Sequence, residues 1–315
     1  MKSKRVFVLL FVLIPVLLLA RYLIVRHNEN KPVNCSSTII FKGSSSFGSV
    51  RDSHLYIYNP RLGTYSRITG MDPKLEARIK SKDVRDIFSY SGKRWITYLH
   101  QEGDDSYENL ASFDGKLQLS NVPACRFLGM YKGKLWLSGG DTFYSVSLPD
   151  GKIKPLTIPL LDDVRLDKAN LSKGGIFAAS KGISDATNGH LVLISLDEAK
   201  IIKEYPGIKC FNASISPSGT RVAVNTPTGP TRIYDIRGQE PVLIGKFNYG
   251  LSDVLSIQWT SDEKYLVFCV MRTVLLPLLA AGVGQLGIVD VSDGRITWLS
   301  ATTAPTKLWC TSSYE

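Results

Sequence analysis

Five cysteines, four histidines and one dense run of acids are the side chains in this sequence best equipped for chemistry. Thiolates suit zinc or copper(I), so what the cysteines can do depends on which of them the fold brings together. Glu102, Asp104, Asp105 and Glu108, in HQEGDDSYEN, form an oxygen-rich run of the kind that binds calcium, but an EF-hand's glycine and terminal glutamate are out of register. The run therefore reads as a solvated hairpin loop. His54, His100 and His190 sit at the ends of expected strands, with no HxH or HxxxH pairing, so acid–base work would need groups gathered from several units. No Gly-x-Ser-x-Gly elbow and no Walker A motif is present, and GVGQLG at 282–287 leads into an apparent strand rather than a helix. The sequons at Asn34, Asn170 and Asn212 matter only in a secretory pathway that glycosylates asparagine. No cofactor is implied by any of these patterns.

The elements that must position these residues are short. From residue 38 onward, runs of five to eight residues rich in Val, Ile, Tyr, Phe and Trp alternate with Gly, Pro, Asp and Asn turns, the signature of an antiparallel all-β chain. HLYIYN (54–59), RWITYL (94–99), KLWLSG (134–139), HLVLISL (190–196), TRVAVN (220–225) and KYLVFCV (264–270) are examples. Six hairpins recur, with turn residues at Asn59, Asp114, Asp150, Asp197, Asp235 and Asp290, a step of about 46 residues. That is the length of a four-stranded propeller blade. An irregular β-sandwich is the competing architecture.

Upstream of those hairpins a second strand–turn–strand piece recurs, as in FSYSGKRWITYL, MYKGKLWLSG, SISPSGTRVAVN and IQWTSDEKYLVFCV. The pairs SPSGTRVAV…RIYDIRGQ and TSDEKYLVF…GIVDVSDGR resemble the repeats of TolB-type and related WD40-like six-bladed β-propellers. The resemblance covers residues 38–314, is strongest in the last two units, and lacks the Gly-His and Trp-Asp dipeptides of true WD40 repeats. It implies an all-β six-bladed propeller. Such rings complete one blade with strands from both chain ends. Here the sixth unit already has four strands and the first only three, so KLWCTSS (307–313) is expected to supply the innermost strand of blade one.

Aligned on their first turns, the units place Cys125, Cys210 and Cys310 at similar inner-strand positions of blades three, five and one, too far apart for one metal. A Cys35–Cys310 bridge across the closure is the alternative to buried free thiols, and would be worth about 2–4 kcal/mol in an oxidising compartment. The segment TVLLPLLAAGVG (273–284) falls where blade five has only the turn TPTGPT, so a propeller does not require it. Its Leu275, Leu276, Leu278 and Leu279 need cover. Three roles are open: a plug over one channel mouth, a patch touching membrane or partner, and a second transmembrane span.

Residues 6–25 are apolar save for Arg21, 20 residues in all, about what a hydrocarbon layer of roughly 30 Å requires. Lys2, Lys4 and Arg5 precede them, and Ala20 lies in no A-x-A-like cleavage site. An uncleaved signal-anchor is expected, against a cleaved signal peptide or a buried helix. The expected organisation is a cytoplasmic tail and transmembrane segment over 1–27, a short linker over 28–37, and a propeller over 38–315 outside the membrane. The formal charge of +10 then divides: residues 1–31 hold six Lys or Arg against one Glu, leaving 32 against 27 in the remainder. Without a basic run in the body, no nucleic-acid partner is expected. The expected function is a tethered scaffold that binds a protein or ligand; the alternative is a lyase or hydrolase with its site at the channel mouth.

Overall fold

The computed structural model describes residues 32–35, 37–44, 53–80, 84–90, 93–102, 105–116, 118–123, 126–139, 142–148, 150–159, 164–165, 170–182, 189–226, 229–248, 252–276, 279–299, 304–311 and 313–314. The expected anchor at 1–27 lies outside them. Among the described residues no helix is long and apolar enough to cross a membrane.

Each sheet of the fold is a blade. Blade one holds β1 (Thr38–Ser44), β2 (Ser53–Asn59) and β3 (Thr64–Arg67). Blade two holds β4 (Val84–Tyr90), β5 (Lys93–Glu102), β6 (Asp105–Ser112) and β7 (Gln118–Pro123). Blade three holds β8 (Arg126–Tyr131), β9 (Lys134–Gly139), β10 (Thr142–Ser147) and β11 (Lys152–Thr157). Blade four holds β12 (Val164–Arg165), β13 (Ile176–Lys181), β14 (His190–Ser195) and β15 (Lys200–Lys209). Blade five holds β16 (Asn212–Ile215), β17 (Arg221–Asn225), β18 (Thr231–Asp235) and β19 (Val242–Phe247). Blade six holds β20 (Ser252–Trp259), β21 (Tyr265–Leu276), β22 (Leu279–Asp290) and β23 (Ile296–Leu299). Two C-terminal strands follow. β24 (Ala304–Thr311) lies antiparallel to β1, with Ile39 opposite Cys310, and β25 (Ser313–Tyr314) lies parallel to β4. The fold is a six-bladed β-propeller.

Six apolar clusters coincide with the six seams between blades. Ile40, Leu55, Ile96 and Phe113 fill the first, Phe88, Trp95 and Leu135 the second, and Phe143, Phe177 and Val192 the third. Leu193, Ile215 and Val222 fill the fourth, and Ile233, Trp259 and Phe268 the fifth. The sixth joins Cys35, Ile39, Phe41 and Tyr58 of the first blade's chain to Val267, Cys269 and Ile288 of blade six. The ring is thus packed all the way round.

This packing explains a departure from simple alternation. A middle strand meets one neighbouring blade with its odd residues and the other with its even ones. Val222 and Val224 face blade four, while Ala223 faces blade six. Hence HLVLISL and KYLVFCV are buried nearly throughout, as strands covered on both faces must be. Burying a side chain such as Phe268 contributes about 1.5–3 kcal/mol.

One short helix, α1 (Pro73–Lys80), interrupts the all-β pattern between β3 and β4. Pro73 follows Asp72, whose Oδ1 accepts from the backbone N–H groups of Lys74 and Leu75 at 3.0 Å, an N-cap on a proline start. Leu75 drops into the seam of blades one and two. Among the described side chains Leu75 is the helix's apolar anchor in that seam, and eight residues are too short a segment to leave a clear helical period in the sequence.

Candidate functional site

Strands within a blade are counted outward from the channel. First-to-second and third-to-fourth connections open on one face of the ring, here called lower; the other connections open on the upper face.

The lower face is built from turns whose side chains tie themselves and their neighbours. Four of the six expected hairpin residues act as predicted for Asx turns: Asn59, Asp114, Asp235 and Asp290 accept through Oδ1 from backbone N–H groups two residues on. Asp197 instead reaches across to blade three, accepting from Lys132 Nζ at 2.8 Å and from Tyr131 Oη. The Lys132 ammonium holds the Asp197 carboxyl below the usual carboxylate range. Blades five and six are joined similarly. Glu263 accepts from the Ser218 backbone N–H, from Ser218 Oγ at 2.9 Å and from Arg221 Nη2 at 3.3 Å. Arg221 also lies over the Trp259 ring, and Trp259 Nε1 donates to the Ser214 carbonyl at 2.9 Å. Ser37 Oγ accepts from the Ser261 N–H at 3.1 Å, and the Val33 N–H donates to the Pro60 carbonyl at 2.8 Å. The first described residues therefore enter the ring on its lower face.

The upper face carries the apolar insertion. Its backbone forms a β-hairpin, not a helix, which removes the single helical span from the three roles open in sequence. Ser252↔Arg272 is the last pair between β20 and β21, and Leu286↔Leu299 the last between β22 and β23. Beyond them, Thr273↔Gly282, Val274↔Ala281, Leu275↔Ala280 and Leu276↔Leu279 pair, among the described residues, with each other alone. The strands of blade six thus run on as an arm above the sheet, and both come within 8 Å of β24 in Cα positions. Leu275, Leu276 and Leu279 lie on this arm; Leu278 lies outside the described residues.

The histidines fall near upper strand ends, as expected. His190 Nε2 lies 3.2 Å from Glu204 Oε2, and Lys181 Nζ lies 2.7 Å from Glu204 Oε1. Chiefly Lys181, with His190, holds the Glu204 carboxyl below its ordinary range. All three belong to blade four. His54 packs edge-on against Tyr56. Of the acid run, Glu102 stands opposite Asp105 and Glu108 opposite Leu99 on the β5–β6 hairpin, while Asp104 lies outside the described residues. Among the described residues no group of three His, Cys, Asp or Glu side chains is placed to hold a metal ion.

Cys35 and Cys210 carry free, buried thiols, and Cys269 is buried as well. Burial pushes Cys35 up to about 11 and Cys210 up to about 12. The β1–β24 register sets Cys310 opposite Ile39, four residues along the chain from Cys35. Cys125 and the side chain of Cys310 lie outside the description. Of the sequons, Asn34 is exposed, while Asn170 Nδ2 donates to Ser214 Oγ at 2.9 Å.

Two features of the rim carry no sequence motif. A groove of about 410 Å³ is lined by Lys203, Glu204, Tyr205, Gln239, Glu240 and Pro241, between the outer strand of blade four and the last turn of blade five. Next to it, Val242, Leu243 and Ile244 are 60%, 51% and 46% exposed on the outermost strand of blade five. A run VLI reads as core in any pattern analysis. Only its place after the third strand of a complete blade marks it as an edge.

No protein-family model matches the chain, and no curated protein matches it in sequence. Among solved structures it is similar to TolB from Acinetobacter baumannii, at a TM-score of 0.61 and 13% identity, covering 89% of this chain and 68% of that one. A complex of KlAtg21 with the coiled-coil of AgAtg16 matches at a TM-score of 0.47 and 14% identity, over 90% of this chain and 98% of that one. Hydrazine synthase of Kuenenia stuttgartiensis matches at 0.39 and 13%, over 58% and 49%. The likeness to TolB bears on the fold, and it agrees with the six blades counted above.

Proposed function

We propose that the chain is a membrane-tethered binding scaffold. In this reading residues 1–27 anchor it, the propeller lies on the extracytoplasmic side, and a protein partner is bound at the upper face. The observation that carries the reading is the arm at 273–282, an apolar hairpin that completes no blade. A scaffold fold in the company of TolB supports it at the level of architecture. Closure by β24 is part of the same reading: the C-terminal strand beside β1 would keep the ring shut under load.

The entry of the chain on the lower face constrains which surface the arm meets. Residues 26–32 extend at most about 25 Å, so an anchored membrane lies below the ring. The arm's tip is eleven residues up β21 from Tyr265, about 36 Å at strand rise. The arm then faces away from the bilayer, and its apolar residues are contact for a partner rather than for lipid. The test is replacement of 273–282 by Asn-Gly, a two-residue hairpin turn. The variant is expected to keep the wild-type circular dichroism spectrum and to lose a protein that co-purifies with the detergent-solubilised wild type. An unchanged set of co-purifying proteins would remove the arm from the account.

The enzyme alternative calls for His, acid and Arg groups converging from three or more blades. The described cluster closest to that chemistry, Lys181, His190 and Glu204, is drawn from blade four alone.

A further inference from the structure

The outer strand of blade four does not run straight along its neighbour. Leu191↔Tyr205 and His190↔Lys209 are successive pairs between β14 and β15, so Pro206, Gly207 and Ile208 bulge out with no partner on β14. Bulges recur at sheet edges and beside functional sites, where they re-aim side chains. Here the bulge forms one wall of the groove of about 410 Å³, and Gln239, Glu240 and Pro241, in the last turn of blade five, form the other. Lys203 Nζ, donating to the Gly238 carbonyl at 2.8 Å, ties the two walls together.

The polar groups of this groove are not all answered from within. Lys203 is committed to that carbonyl, and the Glu204 carboxylate is held by Lys181 at 2.7 Å and lies 3.2 Å from His190. Glu240, by contrast, is exposed and forms no ion pair among the described residues. Tyr205 lines the groove at 7% exposure, and its hydroxyl bonds to no group among the described residues. A buried hydroxyl without a partner costs free energy that a bound group regains. Glu240 lies within electrostatic reach of that hydroxyl: after burial, its carboxylate is the second cause that holds Tyr205 above the ordinary phenol range.

A ligand that answers both groups carries positive charge and N–H donors. An anion would meet the Glu240 carboxylate with like charge, and a purely apolar group would leave the hydroxyl orphaned. Arginine suits the pair better than lysine. Its planar fork offers one edge to a carboxylate and a further N–H to the hydroxyl, while its stem lies along apolar surface such as Pro206, Ile208 and Pro241. The exposed Val242, Leu243 and Ile244 continue from Pro241, so a chain that carries such an arginine also finds apolar contact beside the groove. We propose that the groove binds the guanidinium of an arginine presented by a protein partner, with Glu240 carrying its charge and the Tyr205 hydroxyl accepting one N–H. This contact lies on the rim of blades four and five and depends neither on the arm nor on the tether.

Capped amino acids test this on the detergent-solubilised full chain carrying nitrogen-15 glycine, with the backbone amide signals of Gly207 and Gly238 as reporters. N-acetylarginine methylamide is expected to shift both signals saturably. N-acetylcitrulline methylamide, which has the same shape without the charge, is expected to bind at least about tenfold more weakly, as loss of a charged hydrogen-bond donor implies. Glu240→Gln should bring arginine down to the citrulline level, and Tyr205→Phe should weaken it several-fold. A Cβ at Gly207 would meet nothing within 4 Å, so Gly207→Leu should fill the groove and abolish the Gly238 shift while leaving the melting temperature unchanged. The absence of a saturable shift, citrulline bound as tightly as arginine, or full arginine binding by any of the three variants would overturn the proposal. Free arginine bound more tightly than the capped form would overturn the protein partner as its source.

Discussion

At the scale of the residue, burial rather than reactivity governs the groups most suggestive of chemistry. Cys35 and Cys210 titrate at about 11 and about 12, against an ordinary 9.0, because the seams desolvate their thiolates. Tyr58 beside Cys35 is pushed the same way, to about 12. Over the interval above pH 9 the native chain keeps thiol protons that the unfolded chain has released. Stability from these groups is therefore complete below pH 9 and falls as pH rises toward 11–12. Urea midpoints measured at pH 8 and pH 10.5 should show a lower value at the higher pH. None of Cys35, Cys210 and Cys269 is expected to react with a thiol reagent at pH 8 before denaturant is added. Gly287 makes a second residue-scale case. A Cβ there would stand 2.3 Å from the ring of Phe268, which is fully buried and packs edge-on against Trp298 at 5.3 Å. Gly287→Ala should cost about 1–3 kcal/mol by overpacking, read as a lowered midpoint in the same titration. The final glycine of GVGQLG is thus a packing requirement, not part of a nucleotide loop.

At the scale of the element, the sequence showed most of the strands and missed what happens at their ends. The six hairpin turns were legible because Asn and Asp at a fixed step are needed to close them, and Asn59, Asp114, Asp235 and Asp290 do so. The insertion at 273–284 was legible as excess, but not as a hairpin: Leu and Ala runs carry no period that separates strand from helix. The β19 edge was illegible for a related reason, since Val242–Ile244 differs from a core strand only in what lies outside it. Helix α1 starts on Asp72 and Pro73, a cap and a proline start, and at eight residues leaves almost no pattern. Two deletions distinguish these elements. Removal of 304–315 takes away the strand next to β1 and should lower the melting temperature sharply or prevent folding. Replacement of 273–282 by Asn-Gly removes only self-paired residues and should shift it little. A truncated chain as stable as wild type would count against closure by β24.

At the scale of the whole molecule, part of the basic charge flanks residues 6–25, and on the proposed tether anionic lipid would be its counter-charge. The ring separates two surfaces. Its lower face receives the chain at Val33–Ser37 through Pro60 and Ser261, and its upper face carries the arm. Tether below and contact above is the central claim, and depth in a bilayer tests it most directly. An environment-sensitive fluorescent amino acid is placed at position 12 or at position 276 of the full chain in liposomes containing brominated lipid. The account predicts strong quenching at 12 and none at 276. Absence of quenching at 12 would contradict the tether, and quenching at 276 would show that the arm's partner is the membrane itself.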